Sequence, residues 1–120
     1  MASLVSLELS KDTEDKVRKI AALEQRSVSD TVRLLTEEAI KMREFPGITF
    51  TNGPTGRRAT FITGLDVWEI LEPYVLSDKE WVVLRRSYPE TDEALLRTAV
   101  RYYDSYPDEI EARIALNQGA

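Results

Sequence analysis

The six residues Leu4 to Leu9 constrain this chain more than any other stretch. Side chains alternate faces along a strand, so Val5, Leu7 and Leu9 point one way while Leu4, Ser6 and Glu8 point the other. A lone strand leaves both an apolar row and a hydrogen-bonding edge without a partner, and no second strand pattern lies nearby. The reading that satisfies both is a homodimer in which two copies of this strand pair, with Val5, Leu7 and Leu9 in the dimer interface.

Two helices follow. Ser10, Asp12 and Thr13 are candidate caps for the first, which runs to about Gln25 with Val17, Ile20, Ala21 and Glu24 at helical spacing. After Gln25-Arg26-Ser27-Val28-Ser29-Asp30, where Ser27 or Ser29 can accept from free amides, Val28, Val32, Leu35, Ala39 and Met42 line one face of the second. So small a unit holds few large apolar side chains, and chains near 40 residues generally need disulfides, metal or oligomerisation to fold. Val32 and Leu35 are therefore assigned to the dimer interface with the strand.

Pro46-Gly47 ends that helix and sets the expected domain boundary, giving units 1–45 and 46–120. Ile48–Thr51 and Ala59–Ile62 read as two short strands joined by Asn52-Gly53-Pro54-Thr55-Gly56, a β-hairpin with Arg57 and Arg58 at its shoulder. Four helices are expected beyond it. Thr63 is the candidate cap of one over Leu65 to about Tyr74, weakened at its end by Pro73. Ser77-Asp78-Lys79-Glu80 has the form of a capping box opening a helix through Trp81 to Ser87. Thr91 is the candidate cap of a helix burying Leu95, Leu96, Ala99, Val100 and Tyr103, and Pro107 starts a last one carrying Ile110 and Ile114. The pair between Ser77 and Asp104 has a helix-turn-helix layout. The fold class is thus mainly α with short β elements.

Charge and composition narrow the chemistry. The formal net charge is −5, with the excess of acid concentrated after Phe45, so any nucleic-acid binding must rest on local groups rather than long-range attraction. The chain has neither cysteine nor histidine, which removes thiol nucleophiles, zinc-thiolate sites and the common general base. The remaining acids fall at caps and exposed helix positions, so no catalytic residue, metal site or cofactor is assigned. Apolar runs such as Trp81 to Leu84 are far below the roughly 18 residues of a membrane span, and no basic-then-apolar leader opens the chain; a cytoplasmic protein is expected.

Strand, helix, short link and helix at these lengths, with Val5-Ser6-Leu7-Glu8-Leu9-Ser10, Val17, Ile20-Ala21 and Arg26-Ser27-Val28-Ser29, resemble the ribbon-helix-helix family of the MetJ, Arc and CopG type. The resemblance implies an intertwined dimer that sets its strands in the major groove of operator DNA and grips phosphate at the start of the second helix. Carried over, Leu4, Ser6 and Glu8 face the bases, and Arg26, Ser27 and Ser29 sit by the backbone. This trio departs from the family, which places basic or amide side chains there.

A second resemblance covers about 65 residues. Phe45-Pro46-Gly47-Ile48, Gly53-Pro54, Gly56-Arg57-Arg58, Val67-Trp68-Glu69-Ile70, Tyr88-Pro89, Tyr102-Tyr103 and Asp108-Glu109-Ile110 look like a small domain family of unknown function, similar to the helix-turn-helix half of VapB-type antitoxins. It implies a PIN-fold ribonuclease toxin as partner. Arg97, Arg101, Tyr102, Tyr106, Asp108, Glu109 and Ile110 are the expected docking residues, because amphipathic aromatics enrich interfaces and carboxylates suit a basic cleft. The competing reading is a dimeric adaptor in which the ribbon only joins two interaction domains.

Overall fold

A computed structural model describes residues 3–54 and 56–119. It is mainly helical with one two-stranded antiparallel sheet, and it divides into two compact units, 1–39 and 40–120.

In the first unit, Ser10 in an extended conformation starts α1 (Lys11–Glu24), its hydroxyl accepting from the Thr13 amide at 3.2 Å. Of the three candidate caps, Ser10 does the capping. At the other end Gln25 turns left-handed with φ 55°, so its amide reaches Ala22 O and the Arg26 amide reaches Ala21 O. That pair of bonds is a Schellman closure, normally made by glycine because a Cβ crowds the left-handed region. The second helix, α2 (Val28–Glu44), opens on Ser27, whose hydroxyl accepts from the Asp30 amide at 3.0 Å.

Two features of the single chain differ from the paired form expected. Residues 3–10 form no strand: a strand exists by virtue of its ladder, and a single chain offers this segment none. The buried stripe of α2 is also rotated from the one expected. Thr31 and Glu38 are buried, Val32 and Leu35 are half-buried, and Ala39 is exposed. Thr31 tolerates this because its hydroxyl donates to Ser27 O at 2.8 Å.

The second unit takes in the end of α2. Beyond Pro46 the hairpin strands are β1 (Ile48–Gly53) and β2 (Gly56–Phe61), in a register from Ile48 opposite Phe61 to Gly53 opposite Gly56. The ladder is longer and its turn tighter than expected, and Ile62, expected within the second strand, lies beyond it and is exposed; Thr55 of the turn falls outside the described residues.

The next helix, α3 (Val67–Leu76), starts at Asp66, not at Thr63; the Asp66 amide donates to the Glu69 carboxylate at 3.3 Å. Pro73 does not end it. A proline cannot donate to the carbonyl four residues back, and that orphaned carbonyl, of Glu69, accepts instead from the Tyr88 hydroxyl at 3.0 Å.

Nor does Ser77-Asp78-Lys79-Glu80 form a capping box. Asp78 and Lys79 both have positive φ, Ser77 donates back to Tyr74 O, and the stretch is a link between helices. Then come α4 (Trp81–Ser87), α5 (Glu93–Ser105) and α6 (Pro107–Gln118). Asp92, one residue after the expected Thr91, caps α5 by accepting from the Ala94 amide at 3.0 Å. The Arg85 guanidinium holds the intervening turn, donating through Nη1 to the carbonyls of Tyr88, Pro89 and Thr91 at 3.1, 3.4 and 3.2 Å. One core joins these elements: Phe45, Ile48 and Phe61 pack with Ile70, Leu71, Leu84, Leu96, Tyr102, Ile110 and Ile114.

Candidate functional site

In the first unit the residues expected to meet DNA are accessible. Leu4, Ser6 and Glu8 are exposed, as are Arg26, Ser27 and Ser29. The Ser27 hydroxyl is committed to the Asp30 amide, which leaves the first amides of α2 as the groups able to meet an anion. Arg26 lies 3.4 Å from the Glu24 carboxylate. Cations on the helix surfaces are paired in the same way: Lys11 with Asp15, Lys16 with Asp12, Arg18 with Glu14, and Arg33 with Asp30 and Glu37. Such exposed pairs contribute little stability, about 0.3–0.5 kcal/mol each, but they lower the positive potential a phosphate meets. The expected dimer residues Val5 and Leu7 are more than half exposed, Leu4 is 98% exposed, and Leu9 is 36% exposed.

In the second unit the expected docking residues do not form one surface. Tyr102 and Ile110 are buried in the core, claimed by the helical stripe that packs α5 and α6, and in this state neither presents a face to solvent. Arg97 bonds Glu93 at 2.7 Å and stacks over the Trp81 ring at 4.4 Å, while Arg101 lies over Phe45 at 5.7 Å. Arg101, Glu44, Phe45, Asp104 and Ser105 line an open depression of about 430 Å³. Asp108 is exposed, and Tyr106 and Glu109 are half-buried.

The densest constellation gathers around a residue that sequence reasoning left in the first unit. Lys41 Nζ stands 4.3 Å from the Tyr106 ring centre, 5.7 Å from that of Phe50 and 5.9 Å from that of Tyr102. Its ion partner is Glu109, at 3.6 Å, and only 20% of the lysine side chain is exposed. The walls are fixed in turn. The Tyr102 hydroxyl donates to Glu109 at 2.7 Å, the Tyr106 hydroxyl donates to Glu44 at 3.3 Å, and the Phe45, Tyr102 and Tyr106 rings meet edge-on or tilted with centroids 5.1 to 6.1 Å apart. Ring faces carry negative charge, so three rings and a carboxylate make a cation site. Lys41 and Phe50 could not be found locally, since Lys41 and Glu109 are far apart in the chain; the only sequence signal was the paired tyrosines before an acidic helix.

A separate tyrosine plays a structural part. Tyr103 donates to the Glu111 carboxylate at 2.5 Å, and its hydroxyl is pushed up to about 12 by burial, by that hydrogen bond and by the nearby negative charge. Among the described residues no group of three or more acidic side chains is placed to hold a metal ion, and no helix is long and apolar enough to cross a membrane. Neither a protein-family model, nor a curated protein, nor a solved structure matches the chain.

Proposed function

We propose that the chain is an antitoxin-like transcriptional regulator: a homodimer joined through its N-terminal segments that binds operator DNA and, through its helical unit, neutralises a PIN-type ribonuclease. The observation that carries this reading is the row of Val5, Leu7 and Leu9, left accessible to water immediately ahead of the capped α1, an unfavourable exposure that a second copy would cover. Pairing two such segments buries Val5, Leu7 and Leu9 and leaves Leu4, Ser6 and Glu8 outward. Ser6 can bond several base edges, Glu8 can accept from a cytosine amino group, and Leu4 can touch a thymine methyl. Phosphate then meets the α2 start and Arg26.

Few cations take part, so the salt dependence should be shallow. With one Arg26 per protomer, the slope of log K against log salt is about −2. The test combines sedimentation with gel shifts on the DNA upstream of its own gene. A dimer that shifts this DNA, with Arg26→Ala flattening the slope, supports the regulator, whereas a monomer at micromolar concentration sinks both halves. The second reading, a dimeric adaptor, is favoured by the lack of any lysine or arginine in the trio; a dimer that retards no DNA, with or without its partner, selects it. For the toxin half, pull-down from the native host should recover a nuclease, and its absence counts against that role.

A further inference from the structure

We infer that the aromatic and acidic cage around Lys41 is a receptor for the basic side chain of a partner protein, held closed in the free chain by this lysine. The inference rests on the partner-docking half of the proposed function and names its chemistry. Three observations converge on it. Tyr106, Phe50 and Tyr102 surround a cationic Nζ, and Tyr106 lies within the range of a strong cation–π contact. Glu109 supplies the counter-charge at 3.6 Å and is itself oriented by the Tyr102 hydroxyl, so the site stays preorganised without its occupant. Glu44, bonded to Tyr106, adds a second carboxylate at the rim.

The occupant follows from this arrangement. An alkylammonium or guanidinium group satisfies three ring faces and the Glu109 carboxylate together, whereas an anion or a neutral apolar group satisfies neither. Lys41 reaches the cage from the last turn of α2, and a partner's arginine or lysine brings the same charge. Arginine adds a planar face for stacking on Tyr106 and a fork for Glu109, which gives it an advantage over the resident ammonium. Entry of the partner's side chain displaces Lys41 into solvent. The apparent affinity of the cage therefore scales with the fraction of chains in which Lys41 has left it.

Two measurements on the full chain test this. In Lys41→Ala, checked for native circular dichroism, n-butylammonium should raise the melting temperature in a saturable way, while n-butanol should not; in the wild type neither should. In the wild type, reductive methylation of Lys41 should be slow beside Lys11 and Lys16 and should quicken several-fold when a tetra-arginine peptide is added. Equal rescue by butanol, or no rescue of a folded variant, overturns the cage. Methylation of Lys41 that ignores the peptide overturns displacement, and if Lys41→Ala does not fold, this wild-type measurement decides alone. Neither readout involves DNA or a nuclease, so a failed pull-down of the toxin leaves them standing.

Discussion

Tyr88→Phe tests whether a side chain can stand in for a missing backbone donor. Pro73 leaves the Glu69 carbonyl without its helical partner, and the Tyr88 hydroxyl occupies that place at 3.0 Å. The substitution keeps the ring and removes the bond. A net protein hydrogen bond contributes about 0.5–1.5 kcal/mol, and the Glu69 carbonyl keeps some access to water, so the expected loss is about 1 kcal/mol. For a unit of this size that is a fall in melting temperature of about 4–8 °C. Pro73→Ala supplies the cycle that isolates the cause. Alanine restores the amide, the carbonyl regains its helical bond, and Tyr88→Phe should then cost less than half as much. Thermal and urea denaturation of the four proteins give the coupling directly. If the two changes add to within about 0.5 kcal/mol, the tyrosine is not substituting for the proline's missing amide and the argument fails.

Three further outcomes are expected. Gln25→Gly relieves a left-handed residue in the Schellman turn and should stabilise the chain by about 0.5–1 kcal/mol, read as a later urea midpoint. Gly53→Ala places a methyl against the Arg58 guanidinium, whose Nε is tied to Asp66 at 2.7 Å, and should cost about 1–2 kcal/mol, with Asp66→Asn lessening the penalty. Alkali should destabilise the fold: burial raises Tyr74, Tyr88 and Tyr103, helped by Asp104, by Glu69 and Glu72, and by the Glu111 bond respectively. The folded chain holds these protons longer than the unfolded one. Stability is therefore full below about pH 10 and falls as pH rises toward 12, a loss that Tyr103→Phe should reduce and that denaturant midpoints will track.

Local chemistry made most elements legible. Ser10 and Ser27 announce helix starts, Pro107 begins α6, and the paired glycines close a hairpin. Where the reading slipped, a competing side chain had taken the expected group elsewhere. Ser77 bonds back to α3 instead of forward to α4, and Asp92 reaches the α5 amides ahead of Thr91. Pro73 looked like a weak point at the helix end because its remedy, Tyr88, comes from the link between α4 and α5. Tyr102 looked like a surface residue because a tyrosine followed by acids reads the same whether its hydroxyl meets a partner or, as here, Glu109. The cage was hidden for a different reason: Lys41 and Glu109 meet only in the folded second unit, and no short window contains both.

The guanidinium of Arg85 gives the link from α4 to α5 an unequal tolerance to change. One nitrogen holds three carbonyls spread over Tyr88 to Thr91, so an inserted or deleted residue there moves at least one acceptor out of reach. Lysine lacks the planar group that fixes where Nη1 stands among the three, and carries its ammonium on a flexible stem instead. The loop of Ile62, Thr63 and Gly64 is exposed throughout and is held by two backbone bonds, from the Ile62 amide to Gly47 O and from the Gly64 amide to Phe61 O, with no side-chain clamp among the described residues. As related chains diverge, length variation should accumulate at 62–64 and be purged from 88–91, and an inserted reporter or affinity tag belongs in the former.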